Sequence, residues 1–137
     1  MRLSIWPNAQ QPWSDLLEEV RHAEATGWDG VYLADHFMGD GAGFGVEDSP
    51  NLESTATLSA LGALTTRLRV GPLVLGNTYR HPAVVANWAA SLDRITDGRV
   101  VLGVGAGWQV NEHQQYGIEL PPPGERLRRL DEACTAI

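Results

Sequence analysis

Three short stretches of this 137-residue chain gather residues able to do chemistry. Asp35 and His36 stand together near the end of "GVYLADHF", and Gly76 and Asn77 close the run "LRVGPLVLGN". In "LGVGAGWQVNEHQQYG" three alternate glycines, Gly103, Gly105 and Gly107, follow an apolar run and lead into Trp108, Asn111, Glu112 and His113. An imidazole titrates at about pH 6.5, so His36 can give or take a proton near neutrality. Alternate glycines share one face of a strand and leave it bare of side chains. That face suits a closely packed neighbour or a flat ring lying on the backbone. Three readings therefore compete: a dinucleotide fingerprint, a metal site, and the polar exit of a barrel strand.

The dinucleotide fingerprint is G-x-G-x-x-G on a first strand that feeds a helix at once. Here the spacing is G-x-G-x-G on a fourth strand, and a long segment holding Pro121, Pro122 and Pro123 precedes the next helical pattern. A metal-dependent hydrolase or isomerase could draw on His36, His81, Glu112 and His113, but no H-x-H or H-E-x-x-H spacing occurs and the first strand lacks histidine. No residue is assigned as a metal ligand.

The composition narrows the partners. A net charge of −7 and a pI near 4.9 argue against a nucleic-acid partner. The one dense basic cluster, Arg126, Arg128 and Arg129, reads as a solvated helix face. No apolar run reaches the roughly 18 residues of a membrane span, and the N-terminus has no signal-peptide pattern. A soluble cytoplasmic protein without a membrane partner is expected. The single cysteine, Cys134, excludes an intrachain disulfide and is expected to be a small buried hydrophobe.

Elements that could position these groups alternate between strand and helix periods. Leu3 to Trp6 reads as a first strand. Ser14 is placed to cap a helix with an inward stripe of Leu16, Leu17, Val20 and Ala23, ended by Gly27. "GVYLADHF" reads as a buried parallel strand. The Gly- and Asp-rich loop "MGDGAGFGVEDSP" leads to a helix over about Leu52–Thr66, with Leu52, Ala56, Ala60 and Ala63 on one stripe. "LRVGPLVLG" is a third strand weakened by Pro72. Pro82 opens a third helix with Val85, Trp88, Leu92 and Ile95 inward and Gly98 at its end. "RVVLGVGAG" is a fourth strand. The fourth helix starts near Glu125, with Leu127, Leu130, Cys134 and Ile137 on one stripe. Four βα units fit an open doubly wound sheet or half of an eight-stranded barrel.

The stretches "GWDGVYLADHF", "RVGPLVLGNTYRHPAVVANWAASLDRITDGRVVLGVGAGW" and "NEHQQYGIELPP" together resemble the luciferase-like flavin and deazaflavin oxidoreductases, and above all their coenzyme F420-dependent branch. The resemblance runs from Leu3 to the last helix. It implies an α/β fold, a partial TIM (β/α)8 barrel, with residues 1–137 as the N-terminal half of the domain, cut within the fourth helix. It also implies hydride transfer or monooxygenation with F420, or alternatively FMN, bound at the carboxyl ends of the strands. Asp35 and His36 match the family's acid–histidine pair, with His36 the proton donor or acceptor. Gly76 and Asn77 match the bulge after the third strand, where a non-proline cis peptide is expected between them. Ala106, Gly107 and Trp108 match the exit that approaches the ring, and Asn111 and Glu112 are expected on the same loop, within reach of cofactor or substrate.

Hydride transfer asks for a dry, oriented stack of ring and small-molecule substrate more than for a nucleophile. A barrel needs about 250 residues, and its phosphate site commonly comes from the last strands. The missing C-terminal half or a second chain is therefore an expected partner, and the full-length form is expected to be a homo-oligomer. The 137-residue chain alone is expected to bind cofactor weakly and to be inactive. A non-catalytic half-barrel that binds a ligand or assembles with another chain is the alternative.

Overall fold

The computed structural model describes residues 1–43 and 45–137. Strands β1 (Ser4–Ile5), β2 (Gly30–Leu33) and β3 (Arg69–Pro72) pair in parallel, with Ser4 opposite Gly30 and Val31 opposite Val70. β4 (Leu75–Gly76) pairs in parallel with β5 (Val104–Gly105). The two sheets form one wall in two pieces. The Val70 N–H donates to the Arg99 carbonyl at 3.0 Å, and those of Leu75 and Asn77 donate to Gly103 and Gly105 at 2.9 and 2.8 Å. Helices α1 (Trp13–Ala25), α2 (Ser54–Leu64) and α3 (Pro82–Thr96) fill the crossovers, and α4 (Val110–Tyr116) and α5 (Pro123–Ala136) follow β5. Spatial order follows chain order from β1 to β5. A doubly wound sheet reverses its order at a switch point, whereas a (β/α)8 barrel does not. The chain is thus an α/β partial barrel.

The core lies between the wall and α1–α3. Leu16 and Val20 from α1, Val31 and Leu33 from β2, Leu58 and Leu61 from α2, and Val70 from β3 are fully excluded from solvent. Each such side chain contributes about 1.5–3 kcal/mol by leaving water. Gly71 lies in β3 because the neighbouring segment passes close: a Cβ there would stand 1.9 Å from the Val101 carbonyl oxygen.

Several expected elements differ. α1 begins at Trp13 behind Pro12, and Ser14 Oγ donates to Asp15 instead of capping. α2 turns Ser54, Thr57, Leu58, Leu61 and Gly62 inward, leaving Ala56 and Ala63 exposed. The reason is Gly62, where a Cβ would stand 2.8 Å from Thr96 Cγ2, so the glycine must face α3 for the helices to meet. α3 buries Val85, Ala89, Leu92 and Thr96, while Ile95 is 66% exposed. The strands are shorter than the apolar runs, and the third run breaks into β3 and β4 around a cis peptide at Leu73–Val74. The segment after Gly107 holds helix α4, and α5 starts at Pro123. On α5 only Ala133 is buried, while Leu127 and Cys134 face outward. Of the basic cluster, Arg128 and Arg129 are exposed and paired with Glu125, but Arg126 turns inward to donate to the Gly107 carbonyl. No helix among the described residues is long and apolar enough to cross a membrane.

Candidate active site

The exits of β2, β4 and β5 meet around a cavity of about 290 Å³. Asp35 and His36 line it from the first exit, Leu73 to Gly76 and Tyr79 from the second, and Gly105 to Trp108 from the third. Of the residues assigned to a site from sequence, Asp35, His36, Gly76, Ala106, Gly107 and Trp108 line this cavity, and Asn77, Asn111 and Glu112 do not. Leu73, Val74 and Trp108 keep 50%, 40% and 48% of their surface exposed, so the mouth offers apolar area to an occupant. Ligand cavities span roughly 300–1,000 Å³, and this one, walled by half a barrel, stands near the lower end.

His36 is the best-supported side chain in the cavity. Its Nδ1 is 2.7 Å from Glu112 Oε1, and Glu112 is completely buried on α4. The same carboxylate accepts the Phe37 backbone N–H at Oε2, 2.7 Å away, and the Tyr79 hydroxyl at Oε1. Burial alone would raise the Glu112 pKa, but the hydrogen bonds from His36, Tyr79 and Phe37 outweigh it and hold the carboxyl below its usual range. Burial and the adjoining Glu112 push the Tyr79 phenol well above its ordinary value, so it stays a donor. The Trp108 ring meets the His36 ring edge-on, with centroids 5.4 Å apart and planes at 77°. Glu112 therefore stands behind the histidine, on a helix, and does not reach forward from a loop.

Asp35 is 3% exposed and grips the next exit. Arg80 donates to its two oxygens at 2.6 and 2.8 Å, and the Gly76 N–H donates to Oδ2 at 2.8 Å. Arg80 also bonds Glu53, the residue that caps α2 through the Ala56 N–H. Burial disfavours the Arg80 charge, yet Asp35 and Glu53 together hold its pKa above the usual value. The cis peptide expected between Gly76 and Asn77 lies instead three residues earlier, at Leu73–Val74. Gly76 is kept small by a neighbour: a Cβ there would touch the Tyr79 ring at 2.7 Å. The bare face of the fourth strand is filled by protein, since Cβ atoms at Gly103 and Gly105 would meet Val74 at 2.8 and 2.6 Å.

Asn111 acts as a staple. Its Nδ2 donates to the Gly39 carbonyl and to Asp48 at 3.0 Å each, and Gln109 reaches the Met38 carbonyl at 3.0 Å. His81 Nδ1 accepts the Ala83 N–H as the cap of α3, and His113 is buried between the Gln109 carbonyl and Thr78. Of the four candidates of the metal reading, His36 and Glu112 meet while His81 and His113 are engaged elsewhere, and no group of three His, Cys, Asp or Glu side chains is placed to hold a metal among the described residues. Tyr79 and Arg80 escaped the sequence reading. Their signal was the polar "NTYR" immediately after an apolar strand and before the helix-opening His81-Pro82.

Residues 1–137 match the family model described as "Luciferase-like monooxygenase". An F420-dependent glucose-6-phosphate dehydrogenase of Microbacterium testaceum is 43% identical over 128 residues, which span 90% of this chain and 36% of the relative. A 4-hydroxyprotoasukamycin monooxygenase of Streptomyces nodosus is 33% identical over 125 residues, 91% of this chain and 31% of the relative. Among solved structures, an F420-dependent secondary alcohol dehydrogenase in complex with an F420-acetone adduct superposes with a TM-score of 0.80 at 27% identity, over 99% of this chain and 41% of that one. The chain spans about a third of the length of the curated relatives it matches.

Proposed function

The chain belongs to the luciferase-like monooxygenase family, and on that premise we propose that it forms the proton-handling wall of an F420-dependent oxidoreductase, as the N-terminal half of a complete barrel. The carrying observation is His36, backed by buried Glu112 and facing a cavity walled by Leu73, Val74, Gly105, Ala106 and Trp108. The residues fit a planar redox ring: the mouth is apolar and half-exposed, and the polar groups stand at one side. When bound, F420 supplies the hydride chemistry, and FMN could take the same place.

In this reading His36 gives or takes the proton that accompanies hydride transfer, at a ring nitrogen on the cavity side. Asp35 holds Gly76 and Arg80, so that the second and third exits keep their spacing, and acts as a positioning residue. Leu73, Val74 and Trp108 exclude water from one side of the cavity, while the other side awaits the C-terminal half of the barrel or a second chain. Support for F420 comes from the 43% identical dehydrogenase and the 27% identical alcohol dehydrogenase.

A chimaera joining residues 1–137 to the C-terminal portion of the Microbacterium testaceum relative tests this reading. It is expected to bind F420, read as quenched cofactor fluorescence and a shift of the absorbance at about 420 nm, whereas the 137-residue chain alone binds weakly. Preference for FMN, absorbing at about 450 nm, would replace the cofactor but keep the site. A folded chimaera that binds neither would overturn the proposal.

A further inference from the structure

We propose that Glu112 is the positioning residue that decides which nitrogen of His36 carries the proton, and that the backbone N–H of Phe37 is what gives it that power. The proposal rests on the reading of His36 as the proton-handling group, but its test needs no cofactor.

The argument is one of donor and acceptor capacity. An ionised carboxylate only accepts hydrogen bonds. Glu112 receives three: Phe37 N–H at Oε2, and His36 Nδ1 and the Tyr79 hydroxyl at Oε1. His36 Nδ1 must therefore bear a hydrogen, and in the neutral ring the lone pair falls on Nε2. The ring is set to accept a proton at Nε2 and to return it from the same atom. The other charged groups around it are already engaged, Asp35 with Arg80, and Arg80 in turn with Glu53. Trp108 packs against it from the β5 exit in a T-shaped contact.

A glutamine in place of Glu112 has nearly the same shape but a different capacity. One end of its amide accepts and the other only donates. The Phe37 N–H is fixed in the backbone and can only donate, so the amide oxygen must turn towards it. The amide NH₂ then faces His36 and Tyr79. His36 Nδ1 must become an acceptor, and its hydrogen moves to Nε2. Glu112→Gln is therefore expected to reverse the tautomer of His36 with little change of shape, whereas a merely structural role predicts altered stability with the tautomer unmoved.

The experiment is ¹⁵N imidazole spectroscopy on the full chain, labelled at its four histidines, above the imidazole titration. His113 serves as an internal reference, because its Nδ1 faces a backbone carbonyl 2.5 Å away and must carry its hydrogen. Wild-type His36 is expected to show the Nδ1–H pattern of His113, and Glu112→Gln the Nε2–H pattern. Wild-type His36 found as the Nε2–H form, or Glu112→Gln folded with the tautomer unchanged, would overturn the proposal. Should that variant not fold, Tyr79→Phe decides: it removes only the second donor at Oε1, so the Nδ1–H form must persist, and a mixture would refute the assignment to Glu112. Failure of the chimaera to bind F420 or FMN would remove the proposed function and leave this result standing.

Discussion

Arg80 closes on Asp35 through two parallel hydrogen bonds of 2.6 and 2.8 Å, the two-pronged geometry that a guanidinium and a carboxylate form best. The pair joins the β2 exit to the segment after β4, and the carboxylate also takes the Gly76 N–H. Removing one partner of a buried pair leaves the other charge unpaired, which costs about 3–5 kcal/mol. Arg80→Ala should therefore lower the urea midpoint of unfolding severely. Arg80→Lys keeps the charge but loses the fork, and its midpoint should fall between those of wild type and Arg80→Ala.

Acid should loosen the site. Glu112 and Glu53 are held below the ordinary value of 4.5 in the folded chain, each against its own desolvation. Between the folded and unfolded values the unfolded chain binds more protons, so stability falls as pH falls. The contribution is fully present above about pH 4.5 and is lost as pH drops through the folded values. Urea midpoints measured from pH 7 downward should decline more gently in Glu112→Gln than in wild type over that range.

Gly71 should tolerate no side chain. A methyl there would meet the Val101 carbonyl oxygen at 1.9 Å, and backbone has no rotamer by which to yield. Overpacking of a tight interior costs about 1–3 kcal/mol, so Gly71→Ala should reduce the melting temperature by several degrees. Gly43→Ala is the control, since a Cβ there has no neighbour within 4 Å among the described residues.

The outward face of α5 makes a paired prediction with the core. Leu61→Ala, at a position with 0% exposure, should cost about 2–5 kcal/mol. Leu127→Ala, at 61% exposure, should stay within about 0.5 kcal/mol of wild type. Cys134 should react with a thiol reagent in the native protein without prior unfolding, because it is exposed.

Legibility in the sequence followed the strength of local signals. The run from Pro82 to Gly98 carries a helix opener, an apolar stripe and a left-handed exit, and α3 ends on Asp97 and Gly98 at φ 56° and 80°. The strand exits were legible because Asp35, His36, Gly76 and Gly107 interrupt apolar runs. α4 was not, because "VNEHQQY" has no apolar stripe. It is held by polar side chains, Asn111 outward to Gly39 and Asp48 and Glu112 inward to His36. Glu112 was singled out but its contact with His36 was not, since only the fold brings a residue 76 positions away against that ring. The inward face of α2 and the place of Ile95 on α3 were misjudged for a related reason, while Val85, Trp88 and Leu92 do face the core: contact at Gly62 and Thr96 depends on how two helices cross, and neither helix carries that information alone.

One tether reaches the cavity rim from outside. Arg126, in the first turns of α5, holds the carbonyl of Gly107, next to the indole that borders the cavity. α5 itself rests mainly on α3, with little buried surface of its own. The Gly107–Trp108 edge of the cavity is thus tied to a helix with a single buried residue, and loss of the Arg126 guanidinium would release that edge while leaving in place every side chain that faces the cavity.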